Sequence, residues 1–399
     1  MRRTWSLLVI PVLLTGCTTD VSDPLEPTAI ATEAKQTPFG FVATQLTIGS
    51  MHVCGISKPS RAWCWGENGH GELGVDIDDP MSHASAPVSV LNGKGMYNIA
   101  AGHQFTCALS NGGVPWCWGT NVQGQLGTGD NAQAFAPQPV AGDHRFTSLT
   151  AGTYHACGIR KGSGHAYCWG ENGHGALGFG FEPNSNIPVP VVGRRAYTTV
   201  SAGADHTCAV DYSGRAWCWG ANDSGQLGDG STVKSPYPVP VSTGATFVSI
   251  HAGRFFTCAL DTTGHAWCWG DNVRGQLGDG TFDSRPIAAP VPWPEPFRQL
   301  ADGLDHMCGT TDLATVCWGA NYAGQLGKGD QGLTGANTPQ PVAGGFAFAH
   351  LAAGALNTCG AQTDGQVWCW GDNSRYQLGD LGNTASSVPV PVAEPVIIN

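Results

Sequence analysis

Charged side chains are scarce in this chain, and positively charged ones are the scarcer kind. Asp, Glu, Lys and Arg make up 12% of the 399 residues, and 30 acidic residues face 19 Lys and Arg, which gives a formal net charge of −11. Nucleic-acid binding needs clustered Lys and Arg to neutralise phosphates. The composition therefore disfavours a DNA or RNA partner.

Several patterns with a chemical meaning are also missing. There is no Cys-x-x-Cys pair of the kind that holds zinc, and no glycine-rich loop has the form that cradles a phosphate. The apolar runs are too short to cross a bilayer, and almost none has helical spacing. We therefore expect no metal and no cofactor, and the sequence is not that of a helical protein.

What the chain does contain is one stretch repeated seven times, clearest at residues 266–278. Each copy holds Cys-Trp-Gly, a following Asn and a closing Leu-Gly. The cysteines recur every 49 to 53 residues, at positions 64, 117, 168, 218, 268, 317 and 369. A fixed period of this size is typical of a solenoid, a propeller or an array.

A second cysteine precedes each of these, and the residues between them have the composition of a β-hairpin. In five repeats the two cysteines are ten residues apart, which leaves a three-residue loop, and in four of those the third loop residue is glycine, as at Gly264. That position of a three-residue hairpin needs a left-handed residue. Spacings of eleven and nine in the third and sixth repeats suit loops of four and two residues.

In every repeat this register places the two cysteines directly opposite each other on neighbouring strands, close enough for a disulfide. Rows of buried free thiols and metal ligation are the alternatives. The predicted bridges are Cys54–Cys64, Cys107–Cys117, Cys157–Cys168, Cys208–Cys218, Cys258–Cys268, Cys308–Cys317 and Cys359–Cys369.

The rest of each repeat supplies two further strands. One precedes the hairpin and ends at a small-Gly pair such as Ala252-Gly253, and the last carries prolines at alternate positions, as in Pro238 and Pro240. Missing N–H donors do no harm on an outermost strand. The predicted fold is all-β, a seven-bladed β-propeller of four-stranded antiparallel blades; a β-helix is the alternative. Because side chains alternate along a strand, Trp267 and Trp269 should face one neighbouring blade and Cys268 the other.

The repeat resembles that of the regulator of chromosome condensation family in three motifs: Ile250-His251-Ala252-Gly253, Thr257-Cys258-Ala259-Leu260 and Gly275-Gln276-Leu277-Gly278. The resemblance covers the whole repetitive body and implies a seven-bladed propeller. It also implies chromatin binding or guanine-nucleotide exchange, which the acidic charge and the signs of export disfavour. The paired cysteines depart from the nuclear members and look like an exported bacterial version of the family.

The beginning of the chain looks like a targeting segment. Arg2 and Arg3 precede a short apolar run, and Leu14-Thr15-Gly16-Cys17 resembles a bacterial lipoprotein box. We expect a signal peptide over 1–16, lipidation of Cys17, a disordered tether over 17–38 and the propeller over 39–399. Cys17 is also the only one of 15 cysteines that the repeats leave unpaired. This predicts an exported lipoprotein at the outer membrane or cell surface.

Candidate chemistry is sparse. Four histidines occupy one repeat position, at His52, His155, His206 and His306, with Phe105, Phe256 and Asn357 in the other blades. Such periodic residues are expected to serve packing. Asp205-His206 and Asp305-His306 could each pair a carboxylate with an imidazole, and residues 76–79 resemble a calcium loop without its full ligand series. No nucleophile accompanies them, so we expect no catalytic residue and no metal site.

The positions that vary most between repeats lie in the first–second and third–fourth strand connections, which emerge on one face of a propeller. The candidate partner-binding residues there are Tyr154, Arg254, Phe255, Arg274, Tyr322, Arg375 and Tyr376. Arg and Tyr are typical interface anchors. The predicted function is a monomeric, non-catalytic module that binds an unknown protein or glycan. The alternatives are an inhibitor similar to the secreted propeller that inhibits β-lactamases, an extracellular carbohydrate-active enzyme, and a guanine-nucleotide exchange factor.

Lipidation of Cys17 can be tested by replacing its thiol. We expect a Cys17→Ser variant to remain uncleaved or to appear in the soluble exported fraction, because the hydroxyl cannot carry the thioether-linked lipid. Fractionation and immunoblotting of the envelope measure this. A processed Cys17→Ser protein that stays with the membrane would show that the anchor lies elsewhere.

Overall fold

The computed structural model describes residues 41–75, 82–329 and 334–397, and these form seven four-stranded antiparallel sheets. In each sheet the strands lie in chain order, from the axis of the ring outward. This confirms the predicted all-β, seven-bladed propeller. The predicted signal peptide, Cys17, the tether and residues 76–79 lie outside the described residues. Within the described part of the chain there is no helix with the length and apolarity that a bilayer crossing requires.

Every blade has an innermost, a second, a third and an outermost strand. The innermost strands are β1 (Gln45–Ile48), β5 (Met96–Ala101), β9 (Phe146–Ala151), β13 (Tyr197–Ala202), β17 (Phe247–Ala252), β21 (Gln299–Asp302) and β25 (His350–Ala353). The second strands are β2 (His52–Ser57), β6 (Phe105–Ser110), β10 (His155–Arg160), β14 (His206–Asp211), β18 (Phe256–Asp261), β22 (His306–Thr310) and β26 (Asn357–Ala361). The third strands are β3 (Arg61–Glu67), β7 (Val114–Gly119), β11 (Ala166–Gly170), β15 (Ala216–Gly220), β19 (Ala266–Gly270), β23 (Thr315–Gly319) and β27 (Val367–Gly371). The outermost strands are β4 (His83–Lys94), β8 (Ala134–Pro139), β12 (Ser185–Pro190), β16 (Ser235–Pro240), β20 (Arg285–Pro290), β24 (Ala336–Pro341) and β28 (Ser386–Pro391).

The second and third strands form the hairpins that the cysteine spacing predicts. Cys258 lies directly opposite Cys268, with the loop residue Gly264 at a φ of 88°. All seven predicted cysteine pairs are disulfide-bonded, with Cα–Cα separations of 4.0 to 4.1 Å. These bridges fit an exported protein, because disulfides persist in oxidising compartments.

Each blade packs its tryptophan face against the disulfide face of the preceding blade, as the alternation of side chains predicts. Between the fourth and fifth blades, Trp269 and Trp267 contact the cluster that contains Cys208 and Cys218. Trp269 is fully buried, and its indole Nε1 donates to the carbonyl oxygen of Gln226 in the preceding blade at 2.9 Å. An apolar surface is therefore covered at every blade interface, while the one donor on the indole is satisfied.

The ring closes by packing the first blade against the seventh. Both ends of the described chain form backbone hydrogen bonds across this junction. The N–H of Val367 donates to the carbonyl of Phe41, and the N–H of Ala43 donates to the carbonyl of Gly365. At the other end, Val396 forms a parallel bridge with Val88 of β4. The seventh sheet keeps its own four strands, so no strand is exchanged between the first and last blades.

Peptide mapping without reductant should recover seven intrablade bridges and none between blades.

Replacing one pair, with Cys258→Ala and Cys268→Ala together, should lower the free energy of unfolding by about 2–3 kcal/mol, because the bridge closes a loop of about ten residues. Urea unfolding measures this, with Thr263→Ala in the same loop as the control. Equal stability of the control and the double variant would show that this bridge adds nothing to the fold.

Candidate functional site

We call the face that carries the first–second and third–fourth strand connections the upper face. The first–second turns meet around the axis and are joined in sequence by backbone hydrogen bonds. The N–H of Arg254 donates to the carbonyl of Leu304 at 3.0 Å, and the N–H of Leu304 donates to that of Gly354 at 3.1 Å. Such bonds join the turns at five of the seven junctions, including both junctions of the sixth blade, and hold the side chains there at fixed separations.

The periodic histidines lie below this ring and are buried in the blade interfaces. His206 Nε2 lies 2.9 Å from Thr257 Oγ1 in the next blade, and Thr257 donates its hydroxyl proton to the carbonyl of Gln226. The hydroxyl must then accept, so His206 carries its proton on Nε2. Complete burial lowers the pKa of His206 to about 3, which keeps the ring neutral.

The same contact joins His52 to Thr106, His155 to Thr207 and His306 to Thr358, each at 2.9 Å. In the second and fifth blades, where Phe replaces His, the facing residue is apolar, as with Phe256 and Met307. The predicted packing role of the histidines is thus what the structure shows. The possible carboxylate–imidazole pairs do not form: Nε2 of His206 and of His306 bonds to a threonine, and Nδ1 of each has no hydrogen-bond partner in the described chain.

Four of the seven candidate partner-binding residues come together on the upper face of the fifth and sixth blades. The Arg254 guanidinium lies 3.5 Å from a carboxylate oxygen of Asp305 and 5.9 Å from the ring centre of Phe255. The Arg274 guanidinium lies 5.2 Å from the ring centre of Tyr322. We call Arg254, Phe255, Arg274 and Tyr322 the arginine–aromatic patch.

The side chains of the patch are exposed to solvent, and acidic groups lie close to its arginines. Phe255 is 39% and Tyr322 46% exposed, large values for aromatic side chains. Burial raises the pKa of Asp305, and the positive charges of Arg254 and Arg274 oppose that rise. Burial likewise raises the pKa of Asp205, opposed by His174 and Arg254. The charge of Arg254 therefore acts on two half-buried carboxyl groups, of which Asp305 is its ion-pair partner.

The other candidate residues lie apart from this patch. Tyr154 is half-buried, with its ring centre 5.5 Å from that of His103. Tyr376 stacks on His83 with ring centres 4.2 Å apart, across the junction between the seventh and first blades, and Arg375 is exposed beside it. The structure therefore gives Tyr376 a partner within the chain.

The structure also explains why Tyr376 breaks the repeat. The other six repeats have glycine there, and a Cβ at Gly275, for example, would lie 2.6 Å from the Cα of Asn337 in the next blade. Tyr376 has a φ of 63°, the same left-handed region, but faces β4, whose first residue His83 lies flat against its ring. Its departure from glycine marks the closing junction of the ring.

The central channel holds a cluster that the sequence analysis missed. His251 Nδ1 lies 3.1 Å from a carboxylate oxygen of Asp302, and His251 Nε2 lies 3.2 Å from Ser249 Oγ. His251 and Asp302 line a cavity of about 240 Å³ inside the ring. The signal in the sequence was available: His251 stands where the other repeats have Thr, Ser or Ala, and Asp302 where five others have Ala and one has Ile.

Comparison with known families and proteins identifies the repeats. The model of the RCC1-like domain matches residues 14–307, and models of the regulator of chromosome condensation (RCC1) repeat match residues 348–377 and 364–397. Among curated proteins, the human E3 ubiquitin-protein ligase HERC2 is 29% identical over 176 residues, 43% of this chain and 4% of that protein. The ultraviolet-B receptor UVR8 of Arabidopsis thaliana is 29% identical over 184 residues, 44% of this chain and 40% of that protein. The chain thus spans less than half the length of either relative.

Solved structures share the architecture at low identity. Human WBSCR16 superposes with a TM-score of 0.76 at 19% identity, covering 84% of this chain and 94% of that one. Prp20p of Saccharomyces cerevisiae gives a TM-score of 0.72 at 19% identity, covering 89% and 88%. At such identity these two likenesses support the propeller fold and no more.

The buried histidines predict a loss of stability in acid. Their folded pKa values, about 3 for His206, are below the unfolded value of about 6.5, so only the unfolded chain takes up their protons as the pH falls below 6.5. Each such histidine should cost about 1.4 kcal/mol per pH unit from pH 6.5 downward until the folded pKa is reached. Between pH 7 and pH 5, urea unfolding should show about 2 kcal/mol less acid destabilisation in a His206→Phe, Thr257→Val variant than in the unaltered protein, because the range extends about 1.5 pH units below 6.5.

A Phe105→Leu variant is the control, because it loosens an equivalent interface that has no titrating group. It should lower stability by the same amount at each pH. Burial raises the pKa of Glu72 to about 7, which opposes the acid loss, but it does so equally in all three proteins. An unchanged pH slope in the double variant would contradict a neutral, buried His206.

Proposed function

This chain belongs to the RCC1-like domain family, and from that premise we propose that it is an exported binding module whose upper face recognises a protein. The observation that carries the proposal is the arginine–aromatic patch on the fifth and sixth blades. Two exposed aromatic rings and two guanidinium groups lie together there. Arg and Tyr are among the residues that contribute most to protein interfaces.

The patch also has the order that an efficient interface needs. Arg254 is held by Asp305, and Arg274 by Tyr322, so neither side chain must be immobilised from a free state when a partner arrives. Ordering a flexible side chain on binding typically costs about 0.5–1.5 kcal/mol. The backbone bond from Arg254 to Leu304 fixes the turn beneath the patch in the same way.

Export is supported by the seven disulfides, and the resemblance of residues 14–17 to a lipoprotein box supports a lipid anchor at Cys17. A tethered propeller would present its faces to proteins outside the cytoplasm. Binding to Gsp1p and histones is described for Prp20p and belongs to that protein. For an exported chain with a net charge of −11, we favour neither nucleotide exchange nor nucleic-acid binding.

A photo-crosslinking amino acid at Val273, which is 58% exposed beside Arg274, tests the face directly. Purified protein carrying Cys17→Ser and the crosslinker should form one discrete adduct with a protein of its envelope or surroundings. The same crosslinker at Thr263, on the opposite face, is the matched control and should form none. Mass spectrometry of the adduct identifies the partner, including a secreted enzyme if the module is an inhibitor.

With the partner identified, Arg274→Ala or Tyr322→Ala should weaken its affinity by more than about 1 kcal/mol, or roughly fivefold. Asp364→Ala, on the opposite face, should leave the dissociation constant unchanged. The melting temperature should be unchanged in all three variants. Isothermal titration measures the constants. An equal loss of affinity in Asp364→Ala would show that the opposite face binds the partner. If the crosslinking yields a glycan adduct and no protein adduct, the partner is a carbohydrate and not a protein.

A further inference from the structure

We propose that Ser249, His251 and Asp302 form a hydrolytic site in the central channel that cleaves small esters, an activity separate from binding at the upper face. The three side chains form a continuous chain of hydrogen bonds, from Ser249 Oγ to His251 Nε2 at 3.2 Å and from His251 Nδ1 to Asp302 at 3.1 Å. A nucleophile, a base and an orienting carboxylate in this order are recognised by geometry on unrelated folds.

The protonation states follow from the donors available. The Asp302 carboxylate can only accept, so His251 donates from Nδ1, and in the neutral ring Nε2 is then the nitrogen that accepts from the Ser249 hydroxyl. That is the arrangement in which a serine proton can be withdrawn during attack. His251 and Asp302 are 19% and 28% exposed, so both are partly sheltered yet open to the channel.

The pair of His251 and Asp302 replaces a hydrogen bond that other blades make between their innermost strands, which argues for a function beyond blade packing. In three other blades a hydroxyl at the position of His251 accepts a hydrogen bond from the next innermost strand, as Ser201 accepts from the N–H of Ala252 at 3.0 Å. At the junction of the fifth and sixth blades, His251 and Asp302 both depart from the repeat and contact each other. Two coordinated departures at one junction fit a site better than drift in a packing contact does.

Backbone donors for a developing oxyanion lie on the neighbouring strand. Alternate N–H groups of the innermost strands point into the channel, where Ala252 donates to Ser201 and Leu351 donates to Gln299. On β21 the same alternation directs the N–H groups of Leu300 and Asp302 toward the side of Ser249 and His251. Such preorganised amides are the usual stabilisers of tetrahedral intermediates.

The reaction balances with water as the only co-reactant. Ser249 Oγ attacks the ester carbonyl as its proton passes to His251 Nε2, and the carbon–oxygen bond to the alcohol then breaks as that proton passes to the leaving oxygen. Water next attacks the acyl-serine, giving a proton to His251, which returns it to Ser249 Oγ as the acid departs. His251 and Asp302 line the cavity of about 240 Å³, and Ser249 lies beside it, within hydrogen-bonding distance of His251 Nε2. That volume is below the usual range for drug-sized ligands, roughly 300–1,000 Å³, so short acyl groups are the expected substrates.

A fluorophosphonate probe tests the serine directly in the purified full-length protein. We expect a covalent adduct on Ser249, located by peptide mass spectrometry, together with hydrolysis of p-nitrophenyl acetate. Ser249→Ala and His251→Gln should each lower the labelling and hydrolysis rates by roughly 10²-fold or more. Ser201→Ala, a channel serine without a histidine, should label and hydrolyse as the unaltered protein does.

Asp302 acts as a positioning residue, and its variants separate that role from folding. Asp302→Asn should slow labelling strongly, while Asp302→Glu should keep part of the labelling rate. The melting temperatures of both variants are compared with that of the unaltered protein to separate positioning from folding. Thr263→Ala, which lies outside both the channel and the arginine–aromatic patch, should label normally, and because the labelling assay needs no partner, failure of the binding proposal leaves this one testable. Absence of a Ser249 adduct on the folded, unaltered protein, or an adduct that persists in His251→Gln, would overturn the proposal and leave the cluster as a blade-to-blade contact.

Discussion

The structure depends on one hydrogen bond that is made seven times. The tryptophan that follows the third-strand cysteine of each blade donates its indole N–H to a backbone carbonyl in the preceding blade, at 2.8 to 3.0 Å, from Trp65 and Gln377 at the closing junction to Trp370 and Gln325 in the last blade. Each of these rings is fully buried. A misaligned blade would lose the apolar contact of the ring and leave a buried donor unpaired, so the bond sets the spacing of the blades.

Because the same carbonyl serves two donors, this bond also determines where polar side chains can be buried. In four blades the oxygen accepts both the indole N–H and a threonine hydroxyl, as Gln226 does from Trp269 and Thr257. A threonine used in this way needs a donor in return, which a neutral histidine supplies. His and Thr therefore change together between neighbouring blades, and Phe opposite an apolar residue is the other solution. The seventh blade is the exception, since Asn357 takes the histidine position there and is buried with no hydrogen-bond partner for its amide in the described chain.

The sequence predicted the features that belong to a single repeat and missed those that need two. Cysteine spacing determined each hairpin register, and side-chain alternation determined which face Trp269 and Cys268 occupy, because both follow from local backbone geometry. Contacts between blades, such as Arg254 with Asp305 or His251 with Asp302, join residues about fifty positions apart that meet only once the ring has formed. The role of Tyr376 was hidden for the same reason, since its partner His83 lies at the other end of the chain.

Because the seven blade interfaces are nearly equal, the significance of a residue that departs from the repeat depends on where it lies. An exposed turn residue can vary at little cost, so variation on the upper face is weak evidence unless the side chains converge, as Arg274 and Tyr322 do. In the channel, the innermost strands of adjacent blades bond to each other through small side chains, and a bulky charged group must find compensation there. Asp302 and His251 compensate each other, and Ser249, two residues before His251 on the same face of β17, brings a hydroxyl within hydrogen-bonding distance of the second nitrogen of His251. That third member is what sets the channel cluster apart from the histidine–threonine pairs, in which both partners are buried away from any cavity.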